Sequence, residues 1–220
     1  MRWIGLVVTA VLTASVAQAQ TKFEGVVNYQ VTTKSGRPMV FDYYSRGSKA
    51  RIEPHDSSGM VGAVIIDQDA KTQTIIMPTR RMYIVGPIDQ NITPRMDSSM
   101  RNTKLVKAGS ETIAGVPCDD YTVTNTTTQT SGTACIAHGM GDFAMASMGG
   151  FARLAQQVQG LSSAAAGGMF PLKWTGDGDS MIATKVERKT VDASLFVPPA
   201  GYTQMQMPAG MQVPGGMQKP

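Results

Sequence analysis

The chain has 220 residues, 42% hydrophobic and 16% charged, with a formal charge of +4, two histidines and two cysteines. That length suits one domain with a sizeable core, and the charged share lies below the usual quarter. The basic residues are scattered, with Arg80-Arg81 the densest spot, so nothing resembles the basic stripe of a nucleic-acid binder. Two histidines leave little material for acid–base or metal chemistry.

Met1–Ala19 reads as a secretory signal peptide. Arg2 supplies a positive start, Ile4–Val16 an apolar stretch, and Ala17-Gln18-Ala19 a small-x-small cleavage site. After it, no apolar run is long enough to span a bilayer. The expectation is an exported, periplasmic or secreted chain without a transmembrane segment, cleaved near Ala19. Beyond the leader the only cysteines are Cys118 and Cys135. An isolated pair in an oxidising compartment predicts one disulfide.

Phe23–Val31 alternates, with Phe23, Gly25, Val27, Tyr29 and Val31 on one face, as in a half-buried strand. Ser35-Gly36-Arg37-Pro38 reads as a turn, followed by a strand over Met39–Ser45 with Met39, Phe41 and Tyr43 on one face. Further strands are predicted over Lys49–Glu53, Gly62–Asp67, Thr72–Met77 and Arg81–Val85. Short strands at regular spacing between turn residues argue for an antiparallel meander. Gly86–Asn102 is polar, with a short helix expected near Arg95–Arg101; strands resume at Thr103–Ala108 and near Glu111–Ile113.

Tyr121–Thr126 and Ser131–Ala137 read as a hairpin. If Cys118 faces Cys135, Thr124 lies opposite Gln129 and the turn centres on Thr126-Thr127. Closing a loop of this length contributes about 3 kcal/mol by loop-closure entropy. In Gly141–Ala166, Phe151, Leu154, Ala155, Val158 and Leu161 recur at helical spacing, predicting one amphipathic helix laid on the sheet and ended by Gly167-Gly168. Strands near Phe170–Trp174 and Met181–Thr190, and an ordered closing segment Ser194–Tyr202, complete a single domain over 20–203. Gln204–Pro220, rich in Met, Gln, Pro and Gly, reads as a flexible tail.

Several short patterns mimic chemistry. Gly139-x-Gly141-x-x-Ala144 resembles a dinucleotide fingerprint, but the antiparallel pattern lacks the βαβ unit that motif needs. His55-Asp56-Ser57 holds the residue types of a hydrolytic triad side by side, whereas a triad is assembled in space. Asp177-Gly178-Asp179 is a fragment of a calcium loop without the rest of it, and reads as a hairpin turn. Thioether sulfur suits Cu(I). That chemistry could draw on Met205, Met207, Met211 and Met217 in the tail, or on His138 with Met140, Met145 and Met148. The methionines equally suit loose packing on a sheet. No catalytic residue, metal site or cofactor is assigned. The aromatic strand face formed by Phe23, Tyr29, Phe41 and Tyr43 is the candidate ligand-binding surface, and it would also serve as ordinary core.

Five segments carry a family resemblance. They are Phe23-Glu24-Gly25-Val26-Val27; Thr74-Ile75-Ile76-Met77-Pro78 running into Arg81-Met82-Tyr83; Glu111 to Tyr121 with its Ile-Ala-Gly-x-x-Cys-x-x-Tyr core; Phe170-Pro171-Leu172-Lys173; and Leu195 to Tyr202. Together they resemble the family of exported bacterial proteins named domain of unknown function 4412. That family is similar, more distantly, to periplasmic lipoprotein carriers of the LolA/LolB type. The resemblance implies a mainly β, α+β architecture: a strongly curved antiparallel sheet or open half-barrel with a capping amphipathic helix. It also implies, for function, non-catalytic binding of a lipid or lipoprotein. The rival readings are a structural or partner-binding envelope protein without a small ligand, and methionine-mediated copper binding.

Overall fold

The computed structural model describes residues 23–34, 38–55, 61–88, 103–126, 129–141, 143–144, 170–176 and 178–206. Among the described residues, twelve strands form one open, curved sheet. In chain order they are β1 (Gly25–Thr32), β2 (Pro38–Arg46), β3 (Lys49–Pro54), β4 (Ala63–Asp67), β5 (Thr72–Met77), β6 (Met82–Pro87), β7 (Thr103–Ile113), β8 (Val116–Asn125), β9 (Thr130–Ala137), β10 (Phe170–Gly176), β11 (Asp179–Arg188) and β12 (Thr203–Gln204). Their order across the sheet is β12-β6-β5-β4-β3-β2-β1-β11-β10-β9-β8-β7. Two meanders, β1–β6 and β7–β11, therefore run outward from a central antiparallel seam between β1 and β11. β12 adds to the β6 edge in parallel, with Thr203 and Met205 donating their N–H groups to Arg81 and Tyr83 carbonyls. Gln204 and Met205, which the sequence assigns to the tail, thus lie on the sheet edge.

The predicted strands are present, with three changes of detail. The two segments Thr103–Ala108 and Glu111–Ile113 are one strand, β7, interrupted by a bulge between Lys107 and Gly109. β8 begins at Val116, not Tyr121, even though Pro117 and the acidic pair Asp119-Asp120 look like strand breakers. The β8–β9 ladder starts only at Asp119, so Pro117 lies where β8 pairs with β7 alone and its missing N–H leaves no gap in a ladder with β9. Finally, Asp120 stands opposite Cys135 and Thr124 opposite Ser131. The expected register with Cys118 directly facing Cys135, and its turn at Thr126-Thr127, is therefore corrected. The disulfide runs diagonally, joining Cys135 to the residue two places before its ladder partner across a Cα–Cα distance of 5.4 Å. Sheet twist brings such diagonal neighbours into reach.

Gly178 sits in a tight β10–β11 turn, since Gly176 pairs with Asp179. It has φ +81° there, a left-handed conformation that glycine adopts without a Cβ clash. Asp179 accepts an N–H bond from Lys34 at 2.9 Å; Asp177 lies outside the described residues. Among the described residues the helical turns are short and 3-10, at Pro78–Arg80 and Ala193–Phe196, and no helix is long and apolar enough to cross a membrane. The expected helices near Arg95–Arg101 and over Phe151–Leu161, and the Met1–Ala19 leader, lie outside the described residues.

Period-two alternation gives the sheet two unlike faces. The inner face carries the main core, including Val27, Tyr29, Val31, Phe41, Tyr43, Ile52, Val64 and Met181. The outer face of the β2–β6 half carries a smaller core in which Ala63, Ile65 and Ile76 meet Val191 and Phe196 from the segment after β11.

Candidate functional site

The four aromatic residues singled out in the sequence are brought together on the inner face, and all are buried. Tyr29 on β1 stacks on its cross-strand partner Phe41 on β2, with centroids 5.0 Å apart. Phe23, just before β1, packs its ring 5.7 Å from Phe170 and lies under the Arg188 guanidinium. Tyr43 meets Phe170 edge-on at 5.5 Å. Each such pair contributes about 0.5–1.5 kcal/mol beyond the area it buries. Tyr29 also donates its hydroxyl to the Pro171 carbonyl at 2.9 Å. Burial, and then the neighbouring Tyr43, push its phenol well above the usual tyrosine range, so it stays neutral.

Two more rings complete the cluster, and sequence reasoning missed both as site residues. Phe170 opens β10. Phe143 lies in no strand, and it stacks on Tyr43 at 4.6 Å while meeting Tyr29 and Phe170 edge-on at 5.7 and 5.1 Å. The next residue, Ala144, donates its N–H to the Tyr43 hydroxyl at 2.9 Å. Met140 is buried beside them. A lone Phe between glycines and methionines has no periodic signal, and no local pattern in the sequence could have flagged it. Beside this cluster, at the β2–β3 turn, lies a small cleft of about 20 Å³, little more than one water molecule fills. Tyr43, Ala50 and Met140 form its apolar wall and Ser45, Ser48, Lys49 and Gln68 its polar rim.

The other sequence candidates are dispersed. His55 points its Nε2 at Asp42 on β2 at 2.9 Å, and Asp42 also takes bonds from Asn28 and Tyr44. Asp56 and Ser57 lie outside the described residues. His138 is exposed and pairs with Asp119 at 3.2 Å, whereas Met140 is buried; Met145, Met148, Met207, Met211 and Met217 are not among the described residues. Gly139 and Gly141 follow a β9 strand with antiparallel neighbours on both sides, which is not the parallel βαβ setting of the dinucleotide fingerprint.

Glu111, Asp120 and Cys135 have potential ligand atoms within 4.8 Å of one another. The donor set does not suit a metal: Cys135 sulfur is committed to the disulfide, and the Lys173 ammonium already pairs with Glu111. That ammonium holds the Glu111 carboxyl below its ordinary range. Partial burial, then the hydrogen bond with Glu111, raises Asp120 above its ordinary range.

Among curated proteins, none matches this sequence. Similar solved structures include an uncharacterised conserved protein from Thermus thermophilus, with 9% identity, TM-score 0.52, and 86% of this chain and 93% of that one covered. A chain of the Pseudomonas aeruginosa MucA/MucB complex has 12% identity and TM-score 0.48, covering 91% of this chain and 65% of that one. PNGF-II has 12% identity and TM-score 0.46, with 84% and 31% covered. The Thermus structure shares the fold, and at its identity that likeness carries no function. The sequence itself is more decisive: over residues 23–202 it matches the family described as domain of unknown function DUF4412, and the chain belongs to that family.

Proposed function

We propose that this chain is a non-catalytic binding protein of the cell envelope, exported behind a leader cleaved near Ala19, that takes an apolar or acylated ligand, such as a lipid or lipoprotein, on the inner face around Phe23, Tyr29, Phe41 and Tyr43. One observation carries the reading: among the described residues, the aromatic surface of the sheet is met by non-strand residues, Met140, Phe143 and Ala144, beside a cleft. A LolA/LolB-like architecture agrees with it, as does the disulfide with an oxidising compartment.

The test is native mass spectrometry of the mature protein purified from a bacterial periplasm, followed by displacement of N-phenylnaphthylamine with laurate. A retained apolar molecule, or dye displacement lost in Tyr43→Arg, is the expected result. A clean apo mass with no dye binding overturns the reading. That outcome favours the second one, a partner-binding envelope protein without a small ligand, which draws on the near-complete packing of the four aromatic side chains.

A further inference from the structure

Phe143 reaches the aromatic cluster from outside the sheet. The chain leaves β9 at Ala137 and turns back through Gly139 and Gly141, at φ +74° and +76°, conformations that favour glycine. It then places one flat ring in a slot with a face on one side and edges on two others. Tyr43 lies nearly parallel to that ring at an interplanar angle of 23°, whereas Tyr29 and Phe170 stand at 69° and 83°. The same Tyr43 accepts the main-chain N–H of the residue after the ring. One side chain thus reads an aromatic group and the peptide bond that follows it.

We infer that the inner-face site takes an aromatic side chain carried on a polypeptide, and that Phe143-Ala144 is the chain's own stand-in for that ligand. The inference rests on the proposed inner-face binding and narrows its ligand class. An acyl chain offers neither a quadrupolar ring for the face-and-edge slot nor an N–H for the Tyr43 hydroxyl; a segment with Phe, Tyr or Trp offers both. Among the described residues the stand-in is held by ring contacts and the bond to Tyr43, and the small cleft borders it through Gly141 and Ala144. It leaves a competitor a place to begin. Because the stand-in is tethered, its effective concentration is on the order of millimolar, and the apparent dissociation constant of an added peptide is its intrinsic value divided by the fraction of molecules that are open.

The experiment uses the full mature chain with 4-fluorophenylalanine at its six phenylalanines. The Phe143 resonance is assigned by its loss in Phe143→Leu. Three probes are titrated to several millimolar: acetyl-Gly-Asp-Phe-Ala-Met-amide, the same peptide with Leu for Phe, and laurate. The expected result is movement of the Phe143 signal toward a solvent-exposed position with the Phe peptide and not with its Leu analogue. Equal response to both peptides overturns the aromatic requirement. Movement with laurate alone overturns the peptide inference and leaves apolar binding standing. No movement with any probe overturns both and makes Phe143 ordinary core.

Discussion

The two faces of the sheet are covered by different means. On the outer face, residues 191–202 lie over β2–β6 and are tied down by polar bonds at several points. Arg46 and Arg51 donate to the Val191 and Leu195 carbonyls at 2.7 and 3.0 Å, and Glu24 accepts the Val191 N–H at 2.9 Å. Asp192 caps the short turn through Ser194 N–H, and the segment ends in the β12–β6 ladder. On the inner face, the described cover, with Phe143 and Ala144 at its centre, is held by ring contacts and a bond to Tyr43. Directional bonds at many points fix a segment in one place; apolar contact with one hydrogen bond can be reproduced by another molecule. On the proposed reading, the difference separates a permanent cover from an exchangeable one.

The largest expected effect tests the frame that both covers depend on. Phe170→Ala removes a fully buried ring that contacts Phe23, Tyr43 and Phe143, and should lower stability to chemical denaturation by about 4 kcal/mol. A loss below about 1 kcal/mol would mean that the inner cluster is loosely packed even at its strand-borne members. Replacing both cysteines with alanine should lower stability by about 3 kcal/mol without changing inner-face binding, because Cys118–Cys135 ties β8 to β9 and not either cover. Denaturation of the reduced and oxidised protein, with a binding titration on each, checks this.

Two substitutions sharpen the contrast directly. Arg51 is largely buried along its side chain and holds the outer segment at Leu195. Arg51→Met should lower stability by about 1.5 kcal/mol and make the segment over residues 191–202 sensitive to limited proteolysis. Phe143→Leu keeps most of the volume and loses the ring geometry. It should lower stability by only about 1 kcal/mol while raising apparent affinity for added ligand, since the stand-in competes less well. Equal proteolytic sensitivity of both covers in the wild type would erase the contrast.

The smallest effect is on pH dependence. Lys185, then Lys189, hold the Glu187 carboxyl down at about 2 from an ordinary 4.5. A depressed acid contributes stability that is complete above its unfolded value and lost as pH falls through its folded one. Unfolding temperature should therefore decline between pH 4.5 and 2, and Glu187→Gln should flatten that decline slightly, since exposed pairs contribute little.

Much of the frame was legible because alternation is a local signal. Phe23, Tyr29, Phe41 and Tyr43 were placed on one face by period two, and they share it. The closing segment Ser194–Tyr202 was legible through its prolines and apolar residues. What the sequence could not reveal is non-local. Nothing local says that β1 pairs with β11, that a bulge joins two segments into β7, or that twist turns a facing disulfide into a diagonal one. Phe143 illustrates the limit for the site: its role depends on Tyr43, a residue far earlier in the chain whose hydroxyl takes the N–H of Ala144.

The most direct measurement is native-state hydrogen exchange of two amides, Ala144, bonded to Tyr43, and Val191, bonded to Glu24. An exchangeable inner cover predicts that Ala144 exchanges through local opening, roughly a hundredfold or more faster relative to its unprotected rate than Val191, which should approach the global limit. Protection of both amides to the same global level would show that Phe143 and Ala144 are fixed core, and would contradict the account.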